Sequence, residues 1–192
     1  MSAHLDVLVT AAPDVVAAWH GINEGTFISV RREVRRRAGE GSAELIVPQL
    51  AAVAEALANV VARLPDRAFA MPGAEGDWNV AQAIGHTASA RAGLVTAASL
   101  AAGGRWPADA PVVVPGVPGA VEVTRADLVR RLATSQRIIE RGARVIAGHE
   151  LDACPLEHPL VGRLRCGEWL LFSGVHDLMH LEQLEALEAS LA

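Results

Sequence analysis

Residues 167–189 read GEWLLFSGVHDLMHLEQLEALEA. Leu, Glu and Ala dominate, yet His176 and His180 stand four residues apart and Gln183 follows one turn later. A helix turns by about 100° per residue, so these side chains share a face. In projection Trp169, Ser173, Asp177, Leu184 and Leu187 gather around the same histidines, while Leu171, Glu182 and Glu185 fall opposite. The histidines therefore sit among the residues expected to face inward. A buried imidazole needs a partner. A shared metal ion supplies one; hydrogen bonds to backbone or carboxylates are the alternative.

Working outward, three more segments carry helical periodicity. Residues 44–64 place Ile46, Leu50, Val53, Leu57, Val60 and Leu64 in steps of three and four, a core-facing stripe. Residues 78–102 follow Asp77, the expected N-cap, and stop at Gly103-Gly104. Residues 125–147 open on Thr124 and Asp127, spaced as a capping box, and stop at Gly148. Between the second and third helices lies GGRWPADAPVVVPGVPGAVEV, with four prolines and four glycines. It is a long non-helical connection, suited to crossing the bundle, in which VVV is expected to be extended. Residues 147–165 read as a second loop. Residues 1–43 read as one or two further helices broken near Gly21 or Gly25. The expected fold is all-α: a single domain, with a four-helix bundle over 44–192 and an N-terminal helical extension over 1–43.

Composition narrows the function. The net charge of −5 argues against a general nucleic-acid binder. No uninterrupted apolar run approaches the ~20 residues of a membrane span, and no basic region precedes the first apolar stretch. The two cysteines, Cys154 and Cys166, do not make a disulfide framework. These features predict a cytoplasmic protein with neither nucleic acid nor membrane as partner.

Metal sites in bundles are assembled from facing helices. His86 lies mid-helix in DWNVAQAIGH, on a face with Asn79, Gln82, Ala83, Ala90, Gly93 and Ala97, which leave room beside the ring. With His176 and His180 it offers three neutral nitrogen ligands, the number that catalytic sites pair with an open position.

At this point the chain resembles the DinB/YfiT-like superfamily of bacterial metal-binding four-helix bundles. The matching features are a Trp eight residues before a mid-helix His in DWNVAQAIGH, the H-x-x-x-H-x-x-Q pattern of HDLMHLEQL, and the helix order over about residues 44–190. The resemblance implies a divalent metal (zinc, nickel or iron) held by His86, His176 and His180. Some related proteins use bacillithiol, mycothiol or glutathione, with the metal activating the thiol. The function so implied is a thiol-dependent S-transferase or isomerase acting on a small electrophile. A metal-dependent hydrolase and a non-catalytic metal-binding stress-response protein are the alternatives. A homodimer is also implied, with Trp19, Ile22, Phe27, Ile28 and Val30 as contact candidates.

Other residues have secondary readings. Asp177, Gln183 and Gln82 are candidates to orient a ligand histidine. Glu168 is a weaker alternative ligand, and Trp78 reads as packing. His149 and His158 sit in the last loop, either solvated or edging the pocket. The cysteines read as structural rather than nucleophilic. RREVRRR (31–37) reads as a solvated or interface face, with an anion site gripping carboxylates of a substrate or thiol as the alternative, and Arg163 and Arg165 are similar candidates for that grip.

Overall fold

The computed structural model describes residues 3–23, 27–73, 77–121 and 123–191. These form helices α1 (Ala3–Ala11), α2 (Pro13–Asn23), α3 (Phe27–Arg37), α4 (Ser42–Arg63), α5 (Val80–Ala102), α6 (Arg125–Ile146) and α7 (Cys166–Leu191). A 3-10 turn, Asp66–Ala70, follows α4, and an antiparallel hairpin of β1 (Ala153–His158) and β2 (Gly162–Arg165) precedes α7. Helices α4 to α7 are the expected bundle. Gly21 lies inside α2, so it is not the break, and Gly25 is outside the described residues.

Contacts at the helix ends give the directions. Arg63, closing α4, donates from Nε to Glu188 of α7 at 2.6 Å. Both helices also start together beside Glu150, which accepts from the Ala43 amide through Oε1 (3.3 Å) and from the Gly167 amide through its carbonyl (2.9 Å). Hence α4 and α7 run parallel. Glu150 follows α6, while Arg125 at its start donates to the Leu64 carbonyl at 2.6 Å, so α6 runs the other way. Helices α5 and α6 end together, with Val145 against Gly103. Two parallel neighbours cannot be joined by a tight turn. The connection must travel back along α5, a helix of about 34 Å at 1.5 Å per residue, which explains the length of the Gly103–Val123 segment.

That crossover segment is held in two places. Val114 donates its amide to the Glu157 carbonyl at 2.9 Å and the Glu157 amide donates to Val112 at 2.7 Å, so the valine run is extended and bridges to β1. Further on, the Gly119 amide donates to the Gln82 carbonyl at 3.0 Å. A Cβ on Gly119 would lie 2.6 Å from that oxygen and 2.8 Å from the Gly85 Cα. Glycine at both positions lets the segment lie directly on α5.

Local signals behaved unevenly. All six stripe residues, five in α4 and Leu64 at its C-cap, are buried, each worth about 1.5–3 kcal/mol relative to exposure. Among the described residues α4 is the one helix long and apolar enough to cross a membrane, and half of the qualifying window is buried inside the fold. The Thr124–Asp127 capping box is present, with the Asp127 amide donating to Thr124 Oγ1 at 3.1 Å. The N-cap of α5 is Asn79 rather than Asp77: the Gln82 amide donates to Asn79 Oδ1 at 2.8 Å. The chain cannot turn helical earlier, because pairing of residues 71–73 with 78–80 holds it extended.

The N-terminal helices are part of the core. Leu171, expected outside, is fully buried because α2 and α3 cover that side of α7. A Cβ on Gly174 would lie 2.5 Å from Leu50 and 2.8 Å from Val15, so this glycine lets α2 and α4 close on α7. Gln49 docks the start of α2, accepting from the Asp14 amide at 2.9 Å and donating to its carboxylate at 2.8 Å. Of the residues expected at a dimer contact, Trp19 and Val30 are buried and Ile22 and Phe27 pack on the core; Ile28 alone is exposed.

The hairpin departs from a purely helical fold. Pro155, Pro159 and Gly162 read as loop residues, but Cys154 and Leu156 alternate inward, and Gly162 makes the turn at φ +69°.

Candidate metal centre

Helices α5 and α7 pack side by side, and His86 faces His176 and His180 across the contact. One ring nitrogen of each lies within 4.8 Å of the others. Ring centroids are 4.7 Å apart for His176–His180, 5.3 Å for His86–His176 and 5.6 Å for His86–His180.

Two of the rings are oriented from behind. His86 Nδ1 lies 2.7 Å from the Val117 carbonyl, which can only accept, so Nδ1 is the donor and Nε2 is the nitrogen left to serve as a ligand. The carbonyl is delivered by the crossover segment, pinned two residues on by the Gly119–Gly85 contact. His180 Nδ1 donates to Gln183 Oε1 at 3.0 Å, one turn along α7. Backing of this kind is what metal-ligating histidines generally have. His176 differs: its Nδ1 is buried and has no hydrogen-bond partner among the described residues. Burial holds His176 well below its ordinary pKa, and His180, His86 and His158 push it the same way. A neutral imidazole whose Nδ1 is buried and unpartnered, beside two other rings, fits a soft-to-borderline divalent ion.

The other candidates are distributed differently. Gln82 turns away, closing the α5 cap through the Asn79 amide (3.0 Å). Asp177 is one residue on from His176, about 100° around the helix. Its Oδ2 accepts from Arg91 Nε at 2.7 Å, and both side chains are fully buried. Glu168 is likewise engaged elsewhere, accepting from Arg35 Nε (3.1 Å) and the Arg165 amide (2.9 Å). Trp78 packs on His86 at 4.9 Å between centroids.

A cavity of about 240 Å³ adjoins His86 and His176, walled by Phe27, Trp78, Leu160, Phe172 and Met179. His158 lines it too, its ring 5.2 Å from Phe172; burial lowers its pKa, and its Nδ1 accepts from the Leu160 amide at 3.2 Å. His149 stays at the surface, 2.8 Å from Asp152. Arg163 and Arg165 are absent from this lining. They flank a separate depression with Arg31 and Arg35, and they pair with Glu157 and Glu168. Cys154 and Cys166 are free and buried, bonded thiol to thiol, which raises the pKa of Cys166 and lowers that of Cys154. Arg91, Ser135, Gln136 and the Val117 carbonyl carried no readable signal, because each matters only through contacts distant in sequence.

Fold and site together define a helical bundle whose interior holds three converging imidazoles. The family profile of the DinB superfamily matches residues 29–184, and the chain belongs to that superfamily. The match begins inside α3, ahead of the boundary expected near residue 44. No curated protein and no solved structure matches the chain significantly.

Proposed function

We propose that the protein is a metal-dependent enzyme acting on a small molecule, with His86, His176 and His180 as the ligands of one divalent ion. The observation that carries this reading is the convergence of three imidazoles, two held from behind by Val117 and Gln183 and the third left with an unpartnered buried nitrogen. When bound, a divalent ion supplies Lewis acidity and lowers the pKa of water or a thiol in its open position. Gln183 and the Val117 carbonyl fix the ring planes and tautomers. Phe27, Phe172, Leu160 and Met179 restrict bulk water in the adjoining cavity.

Hydrolysis is the favoured reaction over transfer from a carboxylate-bearing thiol. Bacillithiol, mycothiol and glutathione all carry groups that call for cationic or strongly polar contacts. The arginines expected for that task, Arg163 and Arg165, line a different depression and are paired with glutamates. The two free thiols agree with a reducing compartment such as the cytoplasm.

The test is metal content of untagged protein by mass spectrometry beside His176→Ala, then ester and amide hydrolysis against thiol-conjugation assays on the loaded enzyme. About one metal per chain, lost in the variant, with metal-dependent hydrolysis, is expected. Negligible metal after refilling with zinc, nickel, iron or manganese overturns the metal reading. Conjugation without hydrolysis restores the thiol reading.

A further inference from the structure

The crossover segment does not lie flat on α5 throughout. Between its start near Trp106 and its close contact at Gly119 it stands away from the helix and leaves a groove of about 490 Å³. Small-molecule sites run from about 300 to 1,000 Å³. On the helix side Ala90, Gly93 and Ala97 form the floor; on the other, Trp106, Val114 and Val117 face them. Pro107, Pro111 and Pro115 stiffen the segment, so the opening is set before any ligand arrives.

The groove is continuous with the histidine cavity. Both share His86, Ala90, Leu94, Val114 and Pro115. Among the described residues no Asp, Glu, Lys or Arg lines either space. The polar side chains in the groove are His86, at the end joining the cavity, with Ser89 and Thr96 along the helix. A charged ligand would leave its ion unpaired there, which is strongly unfavourable. An apolar body with a single polar end matches the lining.

Gly93 strengthens the case. It sits mid-helix, where glycine is the poorest residue after proline. No close packing requires it: a Cβ built there meets nothing within 4 Å. What its missing side chain leaves is open space in the groove.

We propose that the groove between α5 and the crossover segment binds an uncharged, apolar small molecule of aromatic or branched-alkyl character, with its polar, reacting end at His86. The placement of the reacting end rests on the metal reading above; the groove itself does not.

The neutral fluorophore 6-propionyl-2-(dimethylamino)naphthalene tests this by its emission shift and by energy transfer from Trp106. One probe per chain is expected. Gly93→Leu and Ala97→Leu should each weaken binding about tenfold or more, while helicity and metal content stay as in the wild type. The anionic 1-anilinonaphthalene-8-sulfonate should bind more weakly than the neutral probe. Equal affinity in both variants, or preference for the anion, overturns the proposal. So does a wild-type dimer that these variants dissociate, since the groove would then belong to a second copy. Metal without probe binding defeats the groove alone; probe binding without metal defeats the metal reading alone.

Discussion

Helix α7 carries two polar clusters one residue apart, and they are built on opposite principles. On one side Asp177 meets Arg91. Arg91 donates from Nε to Asp177 at 2.7 Å, from Nη1 to Ser135 Oγ at 3.0 Å, and from Nη2 to the Leu50 carbonyl and Gln136 Oε1, both at 3.1 Å. Burial pushes the Asp177 carboxyl up to about 6 while Arg91 pulls it down, so at neutral pH it remains ionised. The charges are paired, and of the carboxylate only Oδ1, also buried, has no hydrogen-bond partner among the described residues. On the other side three histidines bring one ring nitrogen each to within 4.8 Å of the others. Interior polarity thus divides into a charge-paired cluster and an open cluster of imidazoles, and the open one adjoins the cavity.

The sharpest way to break this contrast is to truncate one member of each. Asp177→Ala leaves a buried guanidinium without its carboxylate and should cost about 3–5 kcal/mol, against a total stability of about 5–15 kcal/mol. His176→Ala in metal-free protein removes a neutral ring with no partner at Nδ1 and should cost no more than about 1.5 kcal/mol. Urea unfolding of both variants checks the order. A larger loss for His176→Ala would mean that the histidines hold the fold together.

Loading with metal should move only the open cluster. At a free metal concentration a hundredfold above Kd the gain is about 2.7 kcal/mol, a rise in Tm of roughly 5–10 °C for a chain of this size. Scanning calorimetry should show it in the wild type and lose it in His180→Ala. A rise of the same size in His180→Ala would place the ion elsewhere.

How legible these clusters were follows from their range in sequence. The helical stripes, the Thr124–Asp127 box and the H-x-x-x-H face are local patterns, and they appear where the periodicity put them. His86 was reachable because small neighbours on its own helix left room for it. The partner of Asp177 is not legible, because the sequence shows its distance from His176 but not Arg91, 86 residues away. The hairpin was hidden by its prolines, and the Asn79 cap by an extended pairing that no local rule anticipates. The burial of Leu171 is not legible in a projection of α7 alone, because α2 and α3 cover its far side.

Smaller effects separate the ligands from their supports. Gln183→Leu removes the acceptor behind His180, and Gly119→Ala forces the crossover segment off α5, taking the Val117 carbonyl from His86. Each should lower metal affinity about 10–100-fold, read by chelator competition. An unchanged affinity would show that the rings are oriented by packing alone.

The finest comparison is in pH, with metal removed by a chelator. His176 titrates in the folded state well below its ordinary 6.5. Its contribution to stability is therefore full above pH 6.5 and lost as pH falls below it. Asp177 is shifted the other way, from 3.8 to about 6. Its contribution is present below 3.8 and lost as pH rises toward 6. Between pH 4 and 6 the two clusters oppose each other, each by up to about 1.4 kcal/mol per pH unit, and the wild-type profile should be shallow. The background carboxylates are shared by all variants, so they cancel in the differences. Relative to the wild type, His176→Ala should lose stability as pH rises through this window, and Asp177→Asn should gain it. Parallel profiles would mean that the two clusters titrate as one network across α7.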